Sequence, residues 1–148
     1  MEERFNTFTV LIANINRCIH KIKTEEMAEH DLRSSHVSCL YYLYKSDRLT
    51  AKALCDICQE DKANLSRAIK FLETGGYITC TSKTAKRYQS PLTLTERGRE
   101  VGALIAARVD NILDRVSEGI SEEHRVIMYN ALARVNANLQ TLCDNYAN

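Results

Sequence analysis

The sequence predicts a mainly α-helical chain, and three observations carry that expectation. Five glycines and one proline in 148 residues fall below the average usage of about 7% and 5%. So few turn-forming residues argue against a many-stranded sheet and for long helices. Apolar residues recur every three or four positions near both termini. Two short stretches, residues 77–80 and 90–94, alternate in a β-rich way around a polar, basic run. A chain of this length is about one domain and buries enough surface to hold a core without disulfides or a metal.

The elements follow in order. Phe5, Phe8, Ile12, Ile15, Ile19 and Ile22 form a heptad-like seam along a first helix. A seam of that length suits the chain's own core or a second subunit. After the polar stretch Thr24 to Arg33, a second helix begins at Ser34, with Ser34 or Ser35 as its cap and Val37, Leu40, Leu43 and Tyr44 on one face. Arg48-Leu49 is long enough only for a bridge of strand. Thr50 caps a short helix, Ala51 to Cys58. Gln59-Glu60-Asp61 make a turn, and Asp61 caps the next helix, Lys62 to Thr74. That helix buries Leu65, Ala68, Ile69 and Leu72, and Gly75-Gly76 stop it.

A hairpin with a long basic tip follows, then Thr95 caps a long helix with Glu96 in its first turn. Val101, Leu104, Ile105, Ile112, Leu113 and Val116 line its apolar face. Gly119 breaks it, and Ser121 with Glu122 and Glu123 starts a last helix whose seam is Met128, Leu132, Val135, Leu139 and Leu142.

Overall charge says little: 20 basic against 19 acidic residues leave +1. Its distribution says more. Residues 62–90 hold Lys62, Arg67, Lys70, Lys83, Lys86 and Arg87 against Glu73 alone, so this segment carries +5 and the rest −4. A helix–turn–helix followed by a basic hairpin places one helix in a DNA major groove and a wing beside it. The cations face phosphates, while Asn64, Ser66 and Arg67 are of types that read base edges. The bland counterpart is a solvated helix face beside a hairpin.

Other classes find less support. The sequence holds no P-loop, G-x-G-x-x-G, H-E-x-x-H or G-x-S-x-G motif, so no enzyme is expected. There is no run of 18 apolar residues and no secretory h-region, which points to a cytoplasmic protein without membrane contact. The six cysteines (18, 39, 55, 58, 80 and 143) are then expected as free thiols packed like small hydrophobes. Cys55-x-x-Cys58 invites a redox or zinc reading, but a zinc ribbon needs a second such pair. Glu26 with His30, and His36 with Cys39, are spaced to share a ligand. No metal or cofactor is expected, and thiol or metal response stands as the alternative.

Leu49-Thr50-x-x-x-Leu54, then Asp61-Lys62-Ala63-Asn64-Leu65-Ser66-Arg67 leading to Leu72-Glu73-x-Gly75-Gly76-Tyr77-Ile78, and finally Leu92-Thr93-Leu94-Thr95-Glu96-Arg97-Gly98, occur in one order. In these motifs the chain resembles the MarR family of winged-helix transcription regulators. The resemblance implies one MarR-type domain over residues 1–148, with dimerisation helices at about 4–24, 96–118 and 121–145 and a DNA-binding lobe at about 34–95. It implies a homodimer that binds double-stranded DNA at a pseudo-palindromic operator, usually as a repressor. DNA contacts would come from Lys62, Ala63, Asn64, Ser66, Arg67, Lys70, Lys83, Lys86 and Arg87. Lys86 stands where the family's wing often has an aspartate, beside the matching Arg87. Many members release DNA when a small anionic or phenolic effector enters a cleft, here with Asn14, Arg17, His20, Tyr41 and Tyr44 as candidate lining. In the family pattern Cys55 and Cys58 face the core. Peroxide-sensing members carry a reactive cysteine where this chain has Thr9, with Cys18 well beyond it. A dimeric adaptor that uses the same helices without DNA is the other alternative.

Overall fold

In the computed structural model, residues 6–46, 48–80 and 89–146 are described. The wing residues Lys83, Lys86 and Arg87, and Phe5 of the first seam, lie outside them. Chain contacts separate two units, Met1–Val109 and Asp110–Asn148.

The first unit opens with π-type turns over Asn6–Leu11 that run straight into α1, Ile12–Glu26. No residue of either is buried, and Phe8, Ile12, Ile15 and Ile19 are exposed. A single 3-10 turn, Ala28–His30, then ends on Asp31 in the left-handed region (φ 55). Met27 and Leu32 anchor that turn in the core. Arg108 reinforces it, donating to the Glu26 carbonyl and the Glu29 carboxylate. The guanidinium holds the Glu29 carboxyl below its usual range.

Helix α2, Ser34–Ser46, buries Val37, Cys39, Leu40 and Leu43. Its cap differs from the serine expected. Ser34 is already helical, so the capping position falls on Arg33, whose side chain has no acceptor. His36 supplies one by reaching back, its Nδ1 accepting the Arg33 N–H at 3.1 Å. This is the return half of a capping box, with imidazole in place of a carboxylate.

The expected helix–turn–helix follows. Leu49–Thr50 forms β1, and the Thr50 hydroxyl accepts the Ala53 N–H at 3.1 Å to start α3, Ala51–Cys58. Gln59 turns the chain through a left-handed φ of 54. Asp61 accepts the Asn64 N–H at 2.8 Å and starts α4, Lys62–Thr74. The end of α4 is a Schellman motif. Tyr77 N–H reaches the Leu72 carbonyl at 2.9 Å and Gly76 N–H the Glu73 carbonyl at 3.0 Å, with Gly76 at φ +72.

Strands β2 (Ile78–Cys80) and β3 (Pro91–Leu94) make the hairpin, and β1 adds to the outer side of β3 in an antiparallel sheet of order β1-β3-β2. Leu92 pairs with Leu49 on one side and Cys80 on the other. Thr95 closes the wing onto α5, Glu96–Val116. Its N–H reaches the Tyr77 carbonyl at 3.0 Å, and its hydroxyl accepts the Gly98 N–H at 3.0 Å. Gly98 is there for space: a Cβ on it would lie 1.9 Å from the Tyr77 carbonyl oxygen. Arg97 completes the clasp, stacking on the Tyr77 ring and donating to the Gly75 carbonyl at 2.9 Å. The core joins Leu40, Leu43, Leu54, Leu65, Leu72, Leu92 and Ile105.

In the second unit, the end of α5 exposes Leu113 and Val116. Gly119 turns the chain at φ +80, and the Ser121 hydroxyl accepts the His124 N–H to start α6, Glu122–Tyr146. No residue of α6 is buried. Among the described residues no helix is long and apolar enough to cross a membrane.

Candidate nucleic-acid interface

The helix–turn–helix sets α4 with one face in the core and the other in solvent. Leu65, Ala68, Ile69 and Leu72 point inward; Lys62, Ala63, Ser66, Arg67 and Lys70 are exposed and Asn64 is half-buried. The capped N-terminus of α4 carries a partial positive charge that attracts phosphate. Asn64 is oriented by its neighbour, donating from Nδ2 to the Glu60 carboxylate.

The second helix contributes to this face, which sequence reasoning missed. A cavity of about 330 Å³ lies along α4, lined by Asn64, Arg67 and Phe71 together with Asp31 and Arg33 from the chain before α2 and Ser35 and His36 from its first turn. His36 locks the two helices: its ring stacks on Phe71 with centroids 4.2 Å apart and planes within 2°. Burial, and secondarily the Arg33 charge, hold the imidazole below its usual pKa. The neutral ring is the form that accepts the Arg33 N–H. The signal available in the sequence was the three-residue spacing of Arg33 and His36, read there as a metal-ligand question for His36 and Cys39. Instead His36 faces Arg33 and Phe71, while Cys39 is fully enclosed in the core. Among the described residues no three His, Cys, Asp or Glu side chains gather as a ligand group.

The five candidate effector residues lie on two helices, Asn14, Arg17 and His20 on α1 and Tyr41 and Tyr44 on α2. Arg17 donates to Asn14 at 2.9 Å along exposed α1, and the His20 carbonyl accepts from Thr24. Tyr41 packs edge-on to Tyr42 with Lys45 over its ring. Tyr44 lines a cavity of about 350 Å³ with Leu43, Arg48, Thr93, Leu94 and Arg99. Gly102 lets α5 approach there, since a Cβ on it would meet the Tyr44 Cβ at 2.9 Å. Cys55 and Cys58, expected to face the core, pack against it and are half-buried. The shortness of α3 explains this: the last turn of an eight-residue helix reaches the margin of the lobe.

Comparison with known proteins agrees with this geometry. Residues 35–113 match the winged helix DNA-binding domain family. The HTH-type transcriptional regulator YybA of Bacillus subtilis is 24% identical over 129 residues, covering 87% of this chain and 86% of that protein. A MarR family transcriptional regulator from Listeria monocytogenes, solved with a 26mer DNA, is 26% identical, with a TM-score of 0.77 over 86% of this chain and 85% of that one. The MepR–DNA complex of Staphylococcus aureus is 20% identical, with a TM-score of 0.77 over 90% and 97% of the two chains. This family is one of transcription regulators rather than of enzymes. The chain belongs to the winged helix DNA-binding family, as a MarR-type transcriptional regulator.

Proposed function

We propose that the protein is a sequence-specific regulator that binds double-stranded DNA as a homodimer and represses from a pseudo-palindromic operator in the cytoplasm. One observation carries this reading: the solvent face of α4 bears Lys62, Ser66, Arg67 and Lys70, and the start of α2 adds Arg33 and Ser35 beside it. In this reading α4 enters the major groove, Asn64, Ser66 and Arg67 meet base edges, and Lys62, Lys70 and the flanking groups hold phosphates. Ala63 gives the backbone close access. Lys83, Lys86 and Arg87 on the wing add charge over the neighbouring minor groove.

The unburied seams support the dimer. Helices near 4–24, 96–118 and 121–145 would supply the joint, and residues 34–95 the DNA-binding lobe. The cavity beside Tyr44 suits a small anionic or phenolic effector, because Arg48 and Arg99 offer cations and Tyr44 and Leu43 an apolar wall. No cofactor or catalytic step belongs to this reading.

The test is selection of bound fragments from the source genome, followed by salt titration on the selected duplex and on a scrambled one. A regulator prefers the selected duplex, and log K falls with log salt at a slope near the number of phosphates neutralised. Arg87→Ala should flatten that slope by about one charge per subunit on both duplexes. Equal, salt-insensitive binding to both would identify an adaptor instead.

A further inference from the structure

The turn before α4 sets a carboxylate against a proposed base contact, where neighbouring phosphates make a negative charge unwelcome. Glu60 is half-buried between Gln59, left-handed at φ 54, and Asp61, the cap of α4. Its backbone is pinned from α3, because the Cys55 thiol donates to the Glu60 carbonyl at 3.0 Å. Its side chain reaches one helical turn forward and accepts from the Asn64 amide. Asn64 is itself held at the main chain, where its N–H reaches Asp61 at 2.8 Å. It lines the cavity that Arg33 and Arg67 also line. Both members of the pair are therefore fixed.

A carboxylate only accepts hydrogen bonds, so this contact settles which end of the Asn64 amide faces Glu60. It is the nitrogen, Nδ2, which leaves Oδ1 as the open acceptor. Among the described residues nothing donates to Oδ1 or to the second Glu60 oxygen. The pair thus offers acceptors and one negative charge. Base edges in the major groove differ in what they give such a pair. Guanine shows two acceptors and thymine one, and both are repelled. Adenine asks for an amide N–H at its N7 beside an oxygen at its amino group, but the Glu60 charge stands at that nitrogen and opposes the N7 lone pair. Cytosine presents its N4 amino group as a donor, with no acceptor beside it.

We propose that Glu60 is a specificity-determining residue, forming with Asn64 an acceptor pair that selects cytosine at one position of each half-site. Asn64 Oδ1 takes the N4 hydrogen that base pairing leaves free. Glu60 holds the amide in that orientation, and its charge turns guanine and thymine away. The same charge lowers affinity for the phosphate backbone of every sequence while sharpening the choice among them. The assignment rests on the DNA-binding function proposed above.

The experiment selects duplexes from a random library with the full-length parent, with Glu60→Gln and with Asn64→Ala, then measures affinity on the parent's selected duplex and on a scrambled one. The parent should select a C·G pair at a position where both variants accept any base, with discrimination there falling about tenfold. Glu60→Gln should also bind the scrambled duplex about two- to fivefold more tightly, since a negative charge has left the phosphates' neighbourhood. Replacing the selected cytosine by 2-pyrimidinone, which lacks the N4 amino group, should cost the parent about tenfold more than it costs Glu60→Gln. Replacing its guanine partner by 7-deazaguanine, which lacks N7, should cost the parent nothing. Relaxation at an A·T pair, relaxation of different positions by the two variants, or a parent that is sensitive to 7-deazaguanine but not to 2-pyrimidinone overturns the proposal. Weaker binding of Glu60→Gln to both duplexes, with unchanged base preference, would make Glu60 a structural part of the turn and overturn it too. A parent that enriches no sequence overturns the regulator reading and this assignment together. A parent that selects an operator which Glu60→Gln selects equally well overturns the assignment alone.

Discussion

The lobe around α2 to α4 and the last helix use the same apolar periodicity for opposite ends. In α4, residues spaced three and four apart are buried, and Leu65 and Leu72 lose almost all exposure. In α6 a seam of equal regularity stays in solvent, with Leu132 47% and Leu142 53% exposed. Periodicity therefore identifies a face that must be covered but not what covers it. For α4 the cover is the chain's own core. For α6 and the similarly bare α1, the second copy proposed above would supply the cover, with apolar burial at about 25 cal/mol per Å².

The sharpest way to break that contrast is to charge the bare seam. Leu139→Asp with Leu142→Asp should abolish the dimer, halving the mass in light scattering, and should remove nearly all operator affinity because only one half-site is held. The cooperative unfolding of the lobe should persist, since its core residues lie elsewhere. A variant that keeps the parent mass would show that the exposed seam does not hold the subunits together.

Inside the lobe the largest loss should come from Gly98→Ala. The added methyl meets the Tyr77 carbonyl, which is backbone and already engaged by Thr95, so neither side yields cheaply. We expect destabilisation of about 3 kcal/mol or more in denaturant titration. Gly119→Ala is the control in the second unit: nothing lies within 4 Å of a Cβ there, and only the positive φ resists, for about 1 kcal/mol. Equal losses at the two glycines would mean that packing at the wing closure is not what Gly98 serves.

Much of this was legible beforehand. Thr50, Asp61 and Thr95 announce their helices because a capping oxygen acts within three residues, and Gly75-Gly76 announce a left-handed stop for the same local reason. What stayed hidden depends on contacts between distant positions. The part of Arg33, Ser35 and His36 in the candidate interface follows from α2 packing beside α4, and His36 meets Phe71 across 35 positions. The clasp of Arg97 over Tyr77 was likewise invisible, although the motif containing Gly98 pointed to that junction.

On the DNA face, Arg67→Ala should cost about 1–3 kcal/mol on the selected operator and relax preference at one position per half-site. Lys70→Ala, acting through phosphate, should weaken operator and scrambled duplex alike and reduce the salt slope by about one per subunit. Titrations on both duplexes separate the two. If Arg67→Ala behaves like Lys70→Ala, α4 holds the backbone and the bases are read elsewhere.

The smallest effect tests the link between α2 and α4. Burial, with help from the Arg33 charge and against the opposing Asp31, lowers the pKa of His36 in the fold from the ordinary value of 6.5. The unfolded chain therefore takes up this proton at a higher pH than the folded one. Stability from neutral His36 is fully present above about pH 6.5 and is lost as the pH falls from there toward the lower folded value, with at most a one-proton slope. Protonation also removes the Nδ1 acceptor from the Arg33 N–H, so the lost cap and the titration are one event. His36→Gln keeps an oxygen at the return position of the capping box but does not titrate. Melting temperatures between about pH 7.5 and 5.5 should fall more steeply in the parent than in the variant. Glu29 stays out of this window, because Arg108 holds it charged to lower pH. Parallel curves for parent and variant would mean that His36 is not protonated on unfolding, and that the stack on Phe71 alone joins the helices.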